Sequence, residues 1–267
     1  MRWPGRGAGA RRSDTGAVDP GTVERPDWDE YMARWTALHG GTPQGVAPRG
    51  GPLPGAAGPR RWDVVSTAWR RFTFDVAQIL VRLGLSPTAV TVAGLVCSLA
   101  VPVVVSVPPL WWPGAGWLFV GALLVFLAAL ADSADGAVAI LTGRTSARGS
   151  FADAVTDRVS EAAWLVALWL VGAPGPLVTA CGALVALHEY VRVRAALAGL
   201  PASRAVSVAD RPTRVLSVLT ALVLGGVFWD VSPRLAAGLV TVTVAVWLIF
   251  GLLGASRLLG AARAFLR

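Results

Sequence analysis

The chain of 267 residues contains no lysine, and all 24 of its basic side chains are arginine. No function follows from that skew alone. Cysteine and histidine are nearly as scarce, with two of each. Cys97 and Cys181 lie in separate apolar runs and read as small buried hydrophobes, so neither a disulfide nor a thiolate or imidazole metal site is expected. Charged residues make up only 15% of the chain, and no apolar segment follows the first arginines, so a secretory signal peptide is not expected either. Apolar residues, by contrast, are abundant: 54% of the chain is hydrophobic and the mean hydropathy is +0.59. Such a composition describes a multi-pass membrane protein rather than a soluble domain with a large core. The net charge of +8 does not point to nucleic acid, because the arginines sit between apolar runs instead of covering one aromatic-studded face. That placement fits the positive-inside bias of membrane proteins.

Residues 1–62 are rich in Gly, Pro and Arg and too poor in apolar side chains to offset the entropy of ordering. A disordered cytoplasmic tail is expected there, with the remaining body running over 63–267. Within the tail, Trp28, Tyr31, Met32, Trp35 and Leu38 recur at helical spacing. Two readings stay open for this island, a short surface helix or a few aromatics in an unstructured arm. From Trp62 to Leu85, the apolar set Val65, Trp69, Phe72, Val76, Ile79 and Leu80 opposes Arg70, Arg71 and Arg82, as in an amphipathic helix lying in the membrane interface. Ser86-Pro87 then offers a helix start.

Six spans follow, at about 88–107, 116–141, 149–171, 176–194, 212–228 and 234–253, so the expected fold is all-α, with six transmembrane helices behind an N-terminal amphipathic interfacial helix. The third span is amphipathic in its first half, and its polar stripe must therefore face protein or water rather than lipid. The connections after the first and third spans are uncharged, whereas Arg144, Arg148, Arg192, Arg194, Arg204, Arg211, Arg214 and the C-terminal arginines lie on the other side. By that asymmetry both termini are cytoplasmic, in a plasma or inner membrane.

Four carboxylates interrupt this apolar pattern, at Asp132, Asp135, Asp153 and Asp157. An Asp inside a span costs roughly 2.5 to 3.5 kcal/mol on insertion scales. The pairs stand at i, i+3 and i, i+4, so each occupies one helix face. Facing each other across two helices, they form a cluster that bound cations would make tolerable; the plainer alternative is a set of interfacial residues solvated by water or headgroups. Oxygen-only ligands near arginines suit Mg or Mn holding a phosphate substrate.

The series Asp132-x2-Asp135-Gly136-x2-Ala139-x9-Gly149-x3-Asp153-x3-Asp157 resembles the signature of the CDP-alcohol phosphatidyltransferase family, with seven positions at fixed spacing. The likeness extends over roughly residues 63–265. It implies a six-helix membrane enzyme, usually homodimeric, that transfers a phosphatidyl or similar group from a CDP-linked lipid donor to a small hydroxyl acceptor and releases CMP. By the same likeness, Asp132, Asp135 and Asp153 would hold two divalent ions, Mg2+ or Mn2+. Asp157 would complete the metal cluster and act as general base. Gly136 and Gly149 would admit the nucleotide, Ser146 matches a small hydroxyl residue in the turn, and Pro87, Thr88 and Thr91 match a segment lining the nucleotide pocket.

One position departs from the family pattern. An Arg that helps hold the donor phosphates follows the motif Ala in the family, and Ile140 stands there in this chain. Weaker donor binding, a different donor and a silent homologue are all compatible with that change. Arg144, one turn further if the helix continues, and Arg148 are the available replacements. Tyr190-Val-Arg192-Val-Arg194, with Asp210-Arg211-Pro212-x-Arg214 further on, loosely resembles the acceptor-phosphate segment of bacterial phosphatidylinositol-phosphate synthases. Arginines at a cytoplasmic helix end are more often topology determinants than ligands; as ligands, Arg192 and Arg194 would suit a phosphorylated acceptor such as inositol phosphate or glycerol phosphate. Glu161 extends the face of Asp153 and Asp157, as a supporting group or as a partner of Arg158, while His188 and Glu189 carry weaker signals. A cation or anion transporter is the competing class. It would place acids near the bilayer midplane and show inverted repeats, and no repeat is visible.

Overall fold

The computed structural model describes residues 26–39, 61–106, 114–200 and 211–266. Among them all regular secondary structure is α-helical. The helices are α1 (Trp28–His39), α2 (Arg61–Arg82), α3 (Pro87–Ser106), α4 (Gly116–Leu141), α5 (Ala147–Leu170), α6 (Gly175–Leu197), α7 (Arg211–Trp229) and α8 (Pro233–Phe265). All six expected spans are present as helices within a few residues of their predicted limits, except that α8 continues twelve residues past the predicted Leu253. Four of them, α3, α4, α7 and α8, are long and apolar enough to cross a bilayer. The other two, α5 and α6, have the length but carry charged residues that pair with one another inside the bundle.

Local sequence explains the helix ends. Ser86 caps α3, its Oγ accepting from the Ala89 amide at 3.2 Å, and Pro87 occupies the first turn, where a missing N–H is harmless. Ser146 caps α5 by accepting from Gly149 N at 3.1 Å. The motif helix α4 stops at Leu141 because Gly143 adopts φ +65°. This backbone lets Gly143 N reach the Ile140 carbonyl at 3.3 Å and Arg144 N reach the Ala139 carbonyl at 2.9 Å, which is a Schellman ending. Arg144 therefore sits in an exposed turn and not one helical turn further along α4.

In the bundle, α3 packs on α4 and α5, α7 packs on α8 and α4, and α6 packs on α8. Trp164, Leu168, Leu118, Leu222 and Trp247 fill its centre. Val92, Val96, Leu99 and Val103 on α3, and Val242, Val246, Ile249 and Leu253 on α8, point outward. An apolar outer surface of this extent belongs in lipid, and the protein is an integral membrane protein. On one side, α2 packs along α4 through Thr73, Phe74 and Ala77 and leaves Val65, Trp69, Phe72 and Ile79 exposed.

The aromatic island of the N-terminal stretch is a helix, and it rests on the body. Asp27 caps α1, accepting from the Glu30 amide at 2.8 Å, and Asp29 and Glu30 fill the first turn, where negative charge is favoured. Tyr31 and Met32 are buried against α2 and the end of α4, whereas Leu38 is exposed. The rest of the expected tail, residues 1–25 and 40–60, lies outside the described residues, as do the connections at 107–113 and 201–210.

Candidate active site

The acid pairs meet where α4 and α5 face each other at one end of the bundle. Asp132, Asp153 and Asp157 each offer a carboxylate oxygen, and these three oxygens lie within 4.8 Å of one another. Asp135 is buried beside them, and its carboxylate accepts from the Thr91 hydroxyl of α3. Close approach of α3 makes that contact possible. Gly94 lies so near α4 that a Cβ there would stand 3.0 Å from Ala131 Cβ. A small cavity opens in front of the acids, lined by Thr91, Gly94, Asp132, Asp135, Ser160 and Arg211. Gly136, one residue beyond Asp135, is exposed and would meet nothing within 4 Å if it carried a Cβ.

This donor set fits a divalent cation. All its ligand atoms are carboxylate oxygens, as Mg or Mn prefers, and Asp153 Oδ1 is buried without a hydrogen-bond partner. Counter-charge comes from Arg211 in the first turn of α7, whose guanidinium pairs with both Asp132 and Asp157.

A second charged network backs the first. Arg158 of α5 lies 3.7 Å from Asp157, 3.1 Å from Glu161 and 3.2 Å from Glu189 of α6. Arg214 of α7, only 2% exposed, donates to Glu161 and to Glu189, each at 2.8 Å. Arg192 donates to the other Glu189 oxygen at 2.6 Å. Glu189 thus joins α5, α6 and α7 through three guanidinium groups, and His188 packs beside it, fully buried. In an apolar bundle such charges persist only when paired.

Of the residues singled out from the sequence, Asp132, Asp135, Asp153, Asp157, Thr91 and Gly136 converge on this end of the molecule. Thr88, Arg144, Arg148, Gly149 and Arg194 are exposed around it, and Pro87 begins the helix that carries Thr91. The Ser146 side chain is engaged as a helix cap, and Arg192 is engaged by Glu189 on its own helix. Glu161 pairs with Arg158, one of its two expected roles, and with Arg214 as well. Sequence reasoning did not place Arg211 or Arg214 at the acids. The available signal was a pair of arginines at i, i+3 opening an apolar helix, a spacing that puts both on one face.

An all-helical membrane protein with a half-buried carboxylate cluster at one end belongs with lipid-modifying or transport proteins. Comparison with known proteins narrows this class. The family profile of CDP-alcohol phosphatidyltransferase matches residues 85–258, and the chain is a member of that family of transferases. The phosphatidylinositol phosphate synthase of Mycobacterium tuberculosis is 32% identical over 186 residues, which cover 67% of this chain and 82% of that protein. The Cutibacterium acnes phosphatidylinositol phosphate synthase is 35% identical over 166 residues, 59% of this chain and 75% of the relative. An archaetidylinositol phosphate synthase of Aeropyrum pernix is 30% identical over 158 residues, 58% of this chain and 75% of the relative. Among solved structures, the M. tuberculosis synthase in complex with manganese and citrate superposes with a TM-score of 0.57 at 28% identity, covering 71% of this chain and 88% of that one. Its form with CDP-DAG bound gives a TM-score of 0.54, covering 70% and 94%.

Proposed function

We propose that this protein transfers the phosphatidyl group of CDP-diacylglycerol to a hydroxyl of a phosphorylated polyol, with inositol phosphate the first choice, and releases CMP. The observation that carries this reading is the gathering of Asp132, Asp153 and Asp157 within reach of one ion, with Arg211 paired to Asp132 and Asp157, beside a cavity lined by Asp132, Asp135 and Arg211. The relatives named for phosphatidylinositol phosphate synthesis support the choice of acceptor.

Asp132, Asp153 and Asp157 would hold the divalent ions, with Asp135 beside them. Bound there, Mg2+ or Mn2+ supplies neutralisation of diphosphate charge in an in-line displacement. The acceptor oxygen attacks the phosphorus that bears the diacylglycerol ester. The bond from that phosphorus to the CMP oxygen breaks, the hydroxyl proton passes to Asp157, and CMP leaves. The open face at Gly136 admits the nucleotide, and Thr91 orients Asp135. Arg211 stands nearest the reacting charge, while Arg194 and Arg192 at the end of α6 suit the acceptor's phosphate, a planar fork on an anion.

In this reading all six helices α3–α8 cross the membrane, α2 lies in the interface on its exposed apolar face, both termini are cytoplasmic, and two copies associate. The paired charges of α5 and α6 favour spans whose polar groups face the bundle interior. Retention of all four acids favours an active enzyme over a silent homologue.

The test is CMP release by purified protein from CDP-diacylglycerol with Mn2+ or Mg2+, across inositol phosphate, glycerol phosphate, inositol and serine, with mass spectrometry of the lipid formed. Release confined to a phosphorylated acceptor is expected. No release with any acceptor overturns the reading, and release with serine alone overturns the choice of acceptor.

A further inference from the structure

The N-terminal helix α1 is attached to the one part of α4 that the mechanism needs held still. Tyr31 and Met32, 4% and 7% exposed, join Phe74 and Ala77 of α2 in one apolar cluster with Ala137, Val138 and Ile140 of α4. Trp28, Tyr31 and Phe74 pack in tilted and edge-to-face contacts with ring centroids 5.0–5.8 Å apart. Arg70 and Arg71 of α2 lie over the rings of Trp35 and Trp28 at 4.8 and 5.0 Å. Arg34 then reaches across and donates to the Ile140 carbonyl at 3.4 Å, while pairing with Glu30 at 2.7 Å. That carbonyl lies in the last turn of α4 and already accepts from Gly143 N at 3.3 Å, so Arg34 takes up its second lone pair.

Ile140 lies five residues beyond Asp135, so about 7.5 Å of helix separates the dock from the acid. A helix this short moves as one body. On the same face of α4, one turn before Ala137, Trp69 of α2 donates to Ser133 at 3.2 Å, between Asp132 and Ala134.

We propose that α1 is a clamp on the motif helix, that Tyr31, Met32 and Arg34 are positioning residues for the carboxylate cluster, and that docking of α1 and occupancy of the cluster by a divalent cation strengthen each other. The inference rests on the reading of the acids as a metal site. It also accounts for Ile140: an apolar side chain completes the seat of Met32 and Tyr31, where a charge would leave the cluster. Any such coupling is reciprocal, so the factor by which docked α1 raises cation affinity equals the factor by which the cation raises docking.

The test uses the full chain in detergent and two readouts apart from turnover: Mn2+ binding by electron paramagnetic resonance and the rate of tryptic cleavage after Arg34, which requires local opening of α1. Saturating Mn2+ should slow that cleavage several-fold in the wild-type protein and leave it unchanged in Asp132→Asn. Met32→Asp should speed cleavage and weaken Mn2+ binding by a similar factor, and Arg34→Ala, which removes the cleavage site itself, should weaken Mn2+ binding to a smaller extent. If Mn2+ binds the wild-type protein and cleavage after Arg34 keeps its rate, the clamp is overturned while the metal site stands. If Mn2+ does not bind at all, both fall. Should Met32→Asp fail to fold, the wild-type comparison decides alone.

Discussion

Arg214 and Glu161, 53 positions apart in the chain, meet at 2.8 Å with their side chains 2% and 3% exposed. Each is sealed by the other. Their attachment to Glu189 and Arg158 fixes α5 against α6 and α7 directly behind Asp157.

Removing one member of this set leaves a buried charge without a partner. Arg214→Ala should destabilise the protein by about 3–5 kcal/mol, read as a loss of unfolding midpoint in detergent. Arg214→Met with Glu161→Leu, which removes one charge of each sign and leaves Glu189 paired with Arg158 and Arg192, should recover much of that loss. A single variant as stable as wild type would show that the pairing contributes nothing.

The acid cluster predicts distinct outcomes for its members. Asp132→Asn and Asp153→Asn should each weaken Mn2+ affinity at least tenfold, measured by titration in the absence of substrate. Asp157→Asn should abolish CMP release and leave the helical content of the protein intact. Chelation with EDTA should stop turnover, and added Mn2+ should restore it. Full turnover in Asp157→Asn would remove that residue from the role of base.

Ile140→Arg tests the departure from the family pattern. On sequence grounds, restoring Arg would be expected to lower the donor's KM. Structurally, Ile140 is buried under α1, so the charge enters an apolar seat, and a loss of roughly 1–3 kcal/mol is expected without improved donor binding. A lower KM at unchanged stability would show that the side chain turns into the site instead.

Gly94 sets the approach of α3 to the acid-bearing helix. Gly94→Val should separate α3 from α4 and strongly reduce kcat, because Thr91 then withdraws from Asp135. Gly94→Ala requires only that Ala131 yield by a few tenths of an ångström and should retain much of the activity. Equal activity of Gly94→Val and wild type would remove the close contact from the catalytic geometry.

Ser146 is engaged as a cap, which gives its substitution a stability signature. Ser146→Ala should cost about 1 kcal/mol, and Ser146→Asn should restore stability because the amide oxygen can accept from Gly149 N. An Asn variant that is stable yet inactive would add a substrate contact to the capping role.

The sequence alone indicated the apolar solvent, the helices from α2 onward and the pairing of the acids on helix faces, because each is written locally. Hydropathy over some twenty residues settles a membrane segment, and Ser86-Pro87 and Gly143 mark helix ends through their own backbones. The spacing of Asp132, Asp135, Asp153 and Asp157 puts each pair on one helix face wherever the helices go. Tertiary structure decided which partners those charges meet. Arg211 joins Asp132 across 79 positions, Arg214 joins Glu161 and Glu189, and the α1 island covers Ile140, and no periodicity within a single helix encodes such meetings. A charge in an apolar bundle is stable only where a partner from another helix arrives, and where that partner arrives depends on how helices pack rather than on how they form.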